Sequence, residues 1–374
     1  MKSPFLIVLL SFFLCSHIQF IATSEEDLVS QFIEKHGQAF LKNKSISSVS
    51  IGIVKDGQAY TGHFGELIKG QGQAPDNASV YEIGSVTKTI VGYLVAQAVV
   101  DGQLALDEDV NRYLNGEFPN LSYQGKSLTL RHLLTHTSGL PITLPQSLNE
   151  AVNKLDDKVP QRYQQIESSY TQADFLTDLK GIVLKVEPGT KYSYSNAGIE
   201  LVGHILENAY GKSIDQLLTE HLLDKSGMTS TFIHTDQSQD KRIVQGYWMN
   251  NAQPSPALLN NLWGTAGGAK MSMNDMLRYM EWQLNTAHPI VAESHKALYE
   301  ENFASQVAYC WRVRKDKYGT SYSHHGGTTG TQNWLFIFPD YDMAISIITN
   351  HSGPKTPGQL SKTVKKLLKD LLKV

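Results

Sequence analysis

Apolar positions repeat along this chain with two periods, and the places where the period changes mark its elements. Leu28, Phe32, Ile33, His36 and Phe40 recur at helical spacing and predict an amphipathic helix ending near Asn43. Residues 49–54 and 59–64 then alternate as strands, joined through Lys55-Asp56-Gly57-Gln58, where Asp-Gly is a hairpin signal. After a loop at 70–77, Ile90, Val91, Leu94, Val95, Ala98 and Val99 predict a buried helix that carries Ser85 at its start and stops at Asp101-Gly102. A short helix falls within residues 128–141, closed by Gly139 and Pro141. Residues 145–180 are polar and helix-compatible. A turn and extended loop at 188–198 feeds a helix built on Ile199, Leu201, Val202, Ile205 and Leu206, and another helix is read over 213–228. The glycine-rich turn at 262–270 leads into a helix that Ser272 or Asn274 is placed to cap.

Strand character returns towards the end. Residues 307–313, 321–324, 333–338 and 343–349 are short β-branched or aromatic runs, broken by Asp316, Gly319, Gly326-Gly327 and Pro339-Asp340. Leu360, Val364, Leu367, Leu368, Leu371 and Leu372 make a last helix with lysines on its other face, read as a lid on a sheet rather than a membrane-surface helix. Strands at both ends with helices between them predict an α+β fold, an α/β sandwich. One antiparallel sheet is built from both chain ends (about 25–85 and 290–374) with flanking helices, and a mainly helical lobe (about 90–290) is inserted, with the site at the seam.

Composition changes this picture little. The chain has 374 residues, 41% hydrophobic and 18% charged, enough to bury a sizeable core. A net charge of −3 argues against a nucleic-acid footprint and for a small-molecule partner, and nothing in the pattern sets an oligomeric state. Met1-Lys2-Ser3 followed by an apolar run from Phe5 to Cys15 has the form of a secretory signal, with cleavage between Ala22 and Glu25. The expectation is a signal peptide over 1–24, a mature domain over 25–374, and a periplasmic or secreted location. His17 and Gln19 interrupt the run too early for an anchor, so no stable membrane insertion is expected after cleavage, and bulky Phe13 and Leu14 argue against lipoprotein processing at Cys15. Cys310 is then the only cysteine of the mature chain, which leaves no intrachain disulfide and suits a bacterial envelope protein. It sits in the strand-like run Val307-Ala308-Tyr309-Cys310-Trp311 and reads as core.

Ser85 and Lys88, at i and i+3, share a helix face, and a partly desolvated lysine there can be neutral enough to take the serine proton. As a bare tetrapeptide, Ser-x-x-Lys is common. Tyr194 and Asn196, at i and i+2 of an extended segment, turn a phenol and a carboxamide to one side. His132 and His136 have metal-ligand spacing on a helix, but no glutamate lies in the zinc-protease position and no third ligand is near, so no metal is assigned. The turn at 264–269 lacks the Gly-Lys-Ser/Thr ending of a phosphate loop, and no Gly-x-Ser-x-Gly pentad of an α/β-hydrolase occurs. No cofactor is expected.

Ser85-Val86-Thr87-Lys88, Tyr194-Ser195-Asn196 and His325-Gly326-Gly327, in that order and separation, resemble the serine β-lactamase and penicillin-binding protein superfamily, within it the class C β-lactamase and DD-peptidase branch. The resemblance extends to Tyr81-Glu82-Ile83-Gly84, the segment 130–140, the turn at 264–269 and Gly326-Gly327-Thr328-Thr329-Gly330. It implies that Ser85 attacks an amide or ester carbonyl to form an acyl-enzyme. Lys88 helps deprotonate Ser85, and Tyr194, its phenolate favoured by nearby cations, serves as general base. Asn196 binds the substrate's acyl-side amide, and the N–H groups of Ser85 and Thr328 form the oxyanion hole beside Gly326 and Gly327. The implied substrate is a β-lactam or a D-Ala-D-Ala peptide derived from peptidoglycan; the alternatives are an esterase of the same fold and an envelope protein acylated with little turnover. The third motif departs from the Lys-Thr-Gly of typical class C enzymes. His325, only partly charged near neutrality, replaces a fixed cation that binds a carboxylate, while His324 is expected on the other, structural face.

Overall fold

The computed structural model describes residues 24–43, 45–234, 242–249 and 254–373, so the apolar leader read over 1–24 lies, Ser24 excepted, outside the described residues. Eight strands form one antiparallel sheet in the order Gln58–Gly65, Ser48–Lys55, Met343–Thr349, Gln332–Phe338, Gly319–Gly327, Arg312–Asp316, Ser305–Val307, Tyr299–Asn302. The predicted hairpin is present: Asp56 and Gly57 both take positive φ, at 50° and 73°, the turn whose twist matches its flanking strands. Ser48–Lys55 then pairs Ile51 with Ile347 across to Met343–Thr349, which joins the N-terminal hairpin to the C-terminal strands within the one sheet.

Both faces of the sheet are covered. Glu25–Leu41 and Thr356–Leu371 bury Val29, Ile33, Leu360, Val364 and Leu367 against Ile51, Ile53, Ile345 and Ile347. The second face meets Met273–Leu284 and the inserted lobe. Strands covered on both sides lose strict alternation, which is why Met343–Thr349 reads as a continuous apolar run. Thr87–Val100 is buried all round from Thr87 to Ala98, as befits a helix lodged between sheet and lobe. No helix among the described residues is long and apolar enough to cross a membrane.

Two departures from the sequence reading affect the site. The run 307–313 is not one strand. It turns over between Ser305–Val307 and Arg312–Asp316, and Cys310 sits in that turn with φ at 64°. Its residues are apolar because the turn itself is buried, packed so closely on the Thr87–Val100 helix that a Cβ on Gly92 would meet the Tyr309 carbonyl oxygen at 2.2 Å. The second departure is a small sheet, Val80–Glu82, Lys270–Ser272 and Thr231–Phe232, too short to leave a periodic signal. It fixes the segment that enters Ser85 against the glycine-rich turn.

Candidate active site

Val80–Glu82 delivers the chain into a single 3-10 turn, Gly84–Val86, which continues as the buried helix. Between residues 80 and 98 every residue is buried except Ser85. A lone accessible hydroxyl in such a segment is placed by the backbone: Gly84 takes φ at 50°, the Ile83 carbonyl accepts from Asn333 Nδ2 at 2.8 Å, and the Glu82 carbonyl accepts from Thr331 Oγ1 at 2.6 Å.

Lys88 lies directly beneath. Its Nζ is 3.1 Å from Ser85 Oγ, donates to Asn196 Oδ1 at 2.7 Å and donates also to the Ala266 carbonyl. With the side chain fully buried, desolvation pulls the amine down to about 7, opposed weakly by the negative side of Cys310 and Glu200. No carboxylate among the described residues lies within ion-pair distance of it, so the amine meets only neutral acceptors. Glu200 braces this arrangement from one turn along the Asn196–Tyr210 helix, accepting from the Ala266 N–H at 3.0 Å and from Thr265 Oγ1 at 3.3 Å. Neither Glu200 nor the Ala266 carbonyl figures in the sequence motifs, although Asn196 and Glu200 at i and i+4 are a legible helix-face pair.

Asn196 opens its helix behind Ser195, whose Oγ caps Gly198 N at 2.9 Å. Tyr194, half-buried, stands beside Ser85 and Lys88, with Lys88 Nζ 5.0 Å from its ring centroid and the His136 ring tilted against it at 4.3 Å. Burial pushes its phenol well above the ordinary value, with only partial opposition from the Ser85 hydroxyl. Burial thus favours the neutral phenol over the phenolate expected from nearby cations, and the neighbouring Lys88 amine, brought down to about 7, is itself only partly charged near neutrality. His136 and His132 have other engagements: His136 Nδ1 accepts from Ser195 N at 3.2 Å, and His132 Nδ1 closes the cap of its own helix against Thr129.

The third motif is shifted by one residue from its expected placement. His324, not His325, is on the face of the catalytic cluster, its ring 6.5 Å from that of Tyr194, and burial holds it neutral with a pKa near 3. His325 turns to the other face, against Trp334 at 5.1 Å and Gln332 Oε1 at 3.3 Å, beneath the C-terminal helix. The two histidines alternate as strand neighbours must, with the assignment of faces reversed.

Thr328 is likewise displaced from its predicted role. Its N–H donates to the Thr331 carbonyl at 2.9 Å, and its hydroxyl donates to Glu82 Oε2 at 2.8 Å, so it closes the turn and ties it to the segment before Ser85. Because Thr328 and Thr331 form a hydrogen-bonded pair, the next pair, Gly327 and Gln332, is the non-bonded kind, and the Gly327 N–H points away from that partner. On that side the neighbouring strand ends at the Arg312–Ser323 pair, leaving the edge open. A Cβ on Gly84 would lie 2.5 Å from the Gly327 nitrogen, and one on Gly326 would lie 2.0 Å from the Ile83 carbonyl oxygen. Two glycines are therefore required for this strand edge to close on the turn bearing Ser85, and the amides of Ser85 and Gly327 are the pair placed for an oxyanion.

A cleft of about 350 Å³ opens from Ser85, bounded by Asn196, Gly327 and the turn at 264–268. Geometry of this kind can be set beside that of known proteins. The family profile described as Beta-lactamase matches residues 29–368. Protein flp of Staphylococcus aureus (strain MRSA252) is 27% identical over 334 residues, which are 85% of this chain and 62% of that protein, so the chain spans under two thirds of this relative. A beta-lactamase of Providencia stuartii is 28% identical over 298 residues, 76% of this chain and 71% of that one. Among solved structures, a beta-lactamase/D-alanine carboxypeptidase from Yersinia pestis, complexed with citrate, superposes with a TM-score of 0.75 over 93% of this chain and 100% of its own at 20% identity, a likeness of fold alone. With that profile running across both halves of the sheet and the inserted lobe, the chain belongs to the β-lactamase family of serine hydrolases.

Proposed function

We propose that the protein is an exported hydrolase that cleaves an amide or ester through an acyl-enzyme on Ser85. The observation that carries this reading is the fully buried Lys88 amine, held near neutrality 3.1 Å from Ser85 Oγ. At pH 7 a large fraction of it is unprotonated and free to accept the serine proton as Oγ attacks the carbonyl carbon. The oxyanion that forms faces the Ser85 and Gly327 amides. Collapse of the tetrahedral intermediate breaks the bond to the leaving group, which takes a proton from the neutral Tyr194 phenol. The phenol is restored by the Lys88 ammonium, and water later hydrolyses the ester on Ser85 by the same route. Tyr194 thus works as a proton relay, and Lys88 as the base.

An ester or uncharged amide is favoured over a β-lactam or a D-Ala-D-Ala peptide by the charge of the leaving-group side. Both of the latter carry a carboxylate, yet His324 is neutral, and Arg312 is engaged bidentately by Glu301 at 2.9 and 2.7 Å. The carboxylate-bearing substrates remain the second reading, supported by the names of the Providencia and Yersinia relatives. A panel of a short-chain p-nitrophenyl ester, a D-Ala-D-Ala peptide and a chromogenic cephalosporin tests both. Turnover of the ester, lost in Ser85→Ala, is the expected result; equal rates for Ser85→Ala on every substrate that responds would end the proposal.

A further inference from the structure

We infer that the natural substrate carries an apolar acyl chain, which the cleft beside Ser85 accommodates; this rests on the Ser85 acyl-enzyme reading. The leaving group must lie next to Tyr194, which supplies its proton, so the acyl part extends the other way. Tyr194, His324 and His325 are absent from the cleft lining, whereas Asn196 and Ala197 form part of it. The cleft is thus the acyl side.

Its walls are mainly apolar in surface and lack positive charge. Ile142, Leu144, Leu148, Val152, Val159 and Leu262 line it, and no lysine, arginine or histidine does among the described residues. The two carboxylates present, Glu167 and Glu200, are turned onto backbone amides, Glu167 accepting from Leu259 N and Asn260 N and Glu200 from Ala266 N. Burial raises both above the ordinary carboxylate range, which lowers the negative charge a chain would meet.

The exposure of two of these residues adds to this at the rim. Large apolar side chains are seldom left in solvent in a cluster without reason. Here Ile142, 53% exposed, and Val152, 37% exposed, both line the cleft and reach its surface. A cleft of about 350 Å³ with an apolar wall and apolar rim suits a chain of several methylenes rather than an acetyl group or a polar peptide stem.

The test is kcat/KM of the purified full chain for p-nitrophenyl acetate, butyrate and octanoate, with a fluorophosphonate used alongside to label Ser85. A buried methylene contributes about 0.8 kcal/mol, roughly a four-fold gain, so butyrate, two methylenes longer, is expected to exceed acetate by about 15-fold and octanoate to equal or exceed butyrate. Val152→Asp and Ile142→Asp, at partly exposed positions that a charge will not unfold, should each lower the octanoate-to-acetate ratio several-fold. Labelled Ser85 with a flat or falling chain-length series overturns this inference and leaves the acyl-enzyme reading standing. Unlabelled Ser85 with no ester turnover overturns both.

Discussion

At the scale of single residues, the account turns on which group holds the serine proton. Lys88 is pulled down to about 7 by burial, while Tyr194 is pushed up, so the active form has the amine neutral and the phenol intact. Neutral amine accumulates as pH rises, so kcat/KM should climb with a midpoint near 7 and level off above it; a limb centred above 9 would point to a tyrosinate base instead. Lys88→Ala should cost at least about 100-fold in kcat/KM, measured at the plateau. The histidine pair offers a second prediction. His324→Lys places a cation on the catalytic face and should raise activity on a carboxylate-bearing cephalosporin relative to an ester, whereas His325→Lys, directed at Trp334, should not. Ser85, Lys88, Tyr194 and Asn196 were legible because each belongs to a short motif with fixed spacing. The faces of His324 and His325 were not, since alternation along a strand gives the relation between neighbours but not which one looks at the site. Nor does a sequence reveal desolvation, which raises the Tyr194 phenol rather than favouring its phenolate.

Elements bring these side chains together through close backbone approach. The strand Gly319–Gly327, the 3-10 turn Gly84–Val86 and the turn at 264–268 meet with glycine at the contacts, and a Cβ on Gly326 would overlap the Ile83 carbonyl. Gly326→Ala should therefore lower stability by ~1–3 kcal/mol in a denaturant titration and reduce activity more than that loss accounts for, since it moves Gly327 away from the oxyanion. Unaltered activity would mean that the strand edge takes no part. The hairpin at Asp56-Gly57, the final strands and the helix capped by Ser272 were all readable from turn residues and period. Two elements escaped: the three-stranded sheet at Val80–Glu82, whose strands are too short for a pattern, and the buried turn at Cys310, whose apolar residues imitate a strand.

For the molecule as a whole, both chain ends supply the sheet and its outer cover, while the residues between them supply the site. The pairing of Ser48–Lys55 with Met343–Thr349 and the docking of Thr356–Leu371 over Ile345 and Ile347 make the C-terminal helix part of the core. Removing residues 356–374 should expose that apolar face and yield insoluble protein, or soluble protein without a cooperative thermal transition. A lid dispensable for folding would leave the transition intact. The sandwich with its inserted lobe was readable because strands at both ends and helices between them admit few arrangements. Its substrate was not, since one fold serves many reactions and the cleft is assembled from segments distant in sequence. The most direct test of the whole account is the intact mass of the protein quenched in acid during turnover of a p-nitrophenyl ester, followed by peptide mapping. One acyl group on Ser85, absent from Ser85→Ala and forming faster as pH rises through 7, is the predicted result. Steady turnover with no acyl group on Ser85 and an equally active Ser85→Ala would contradict it.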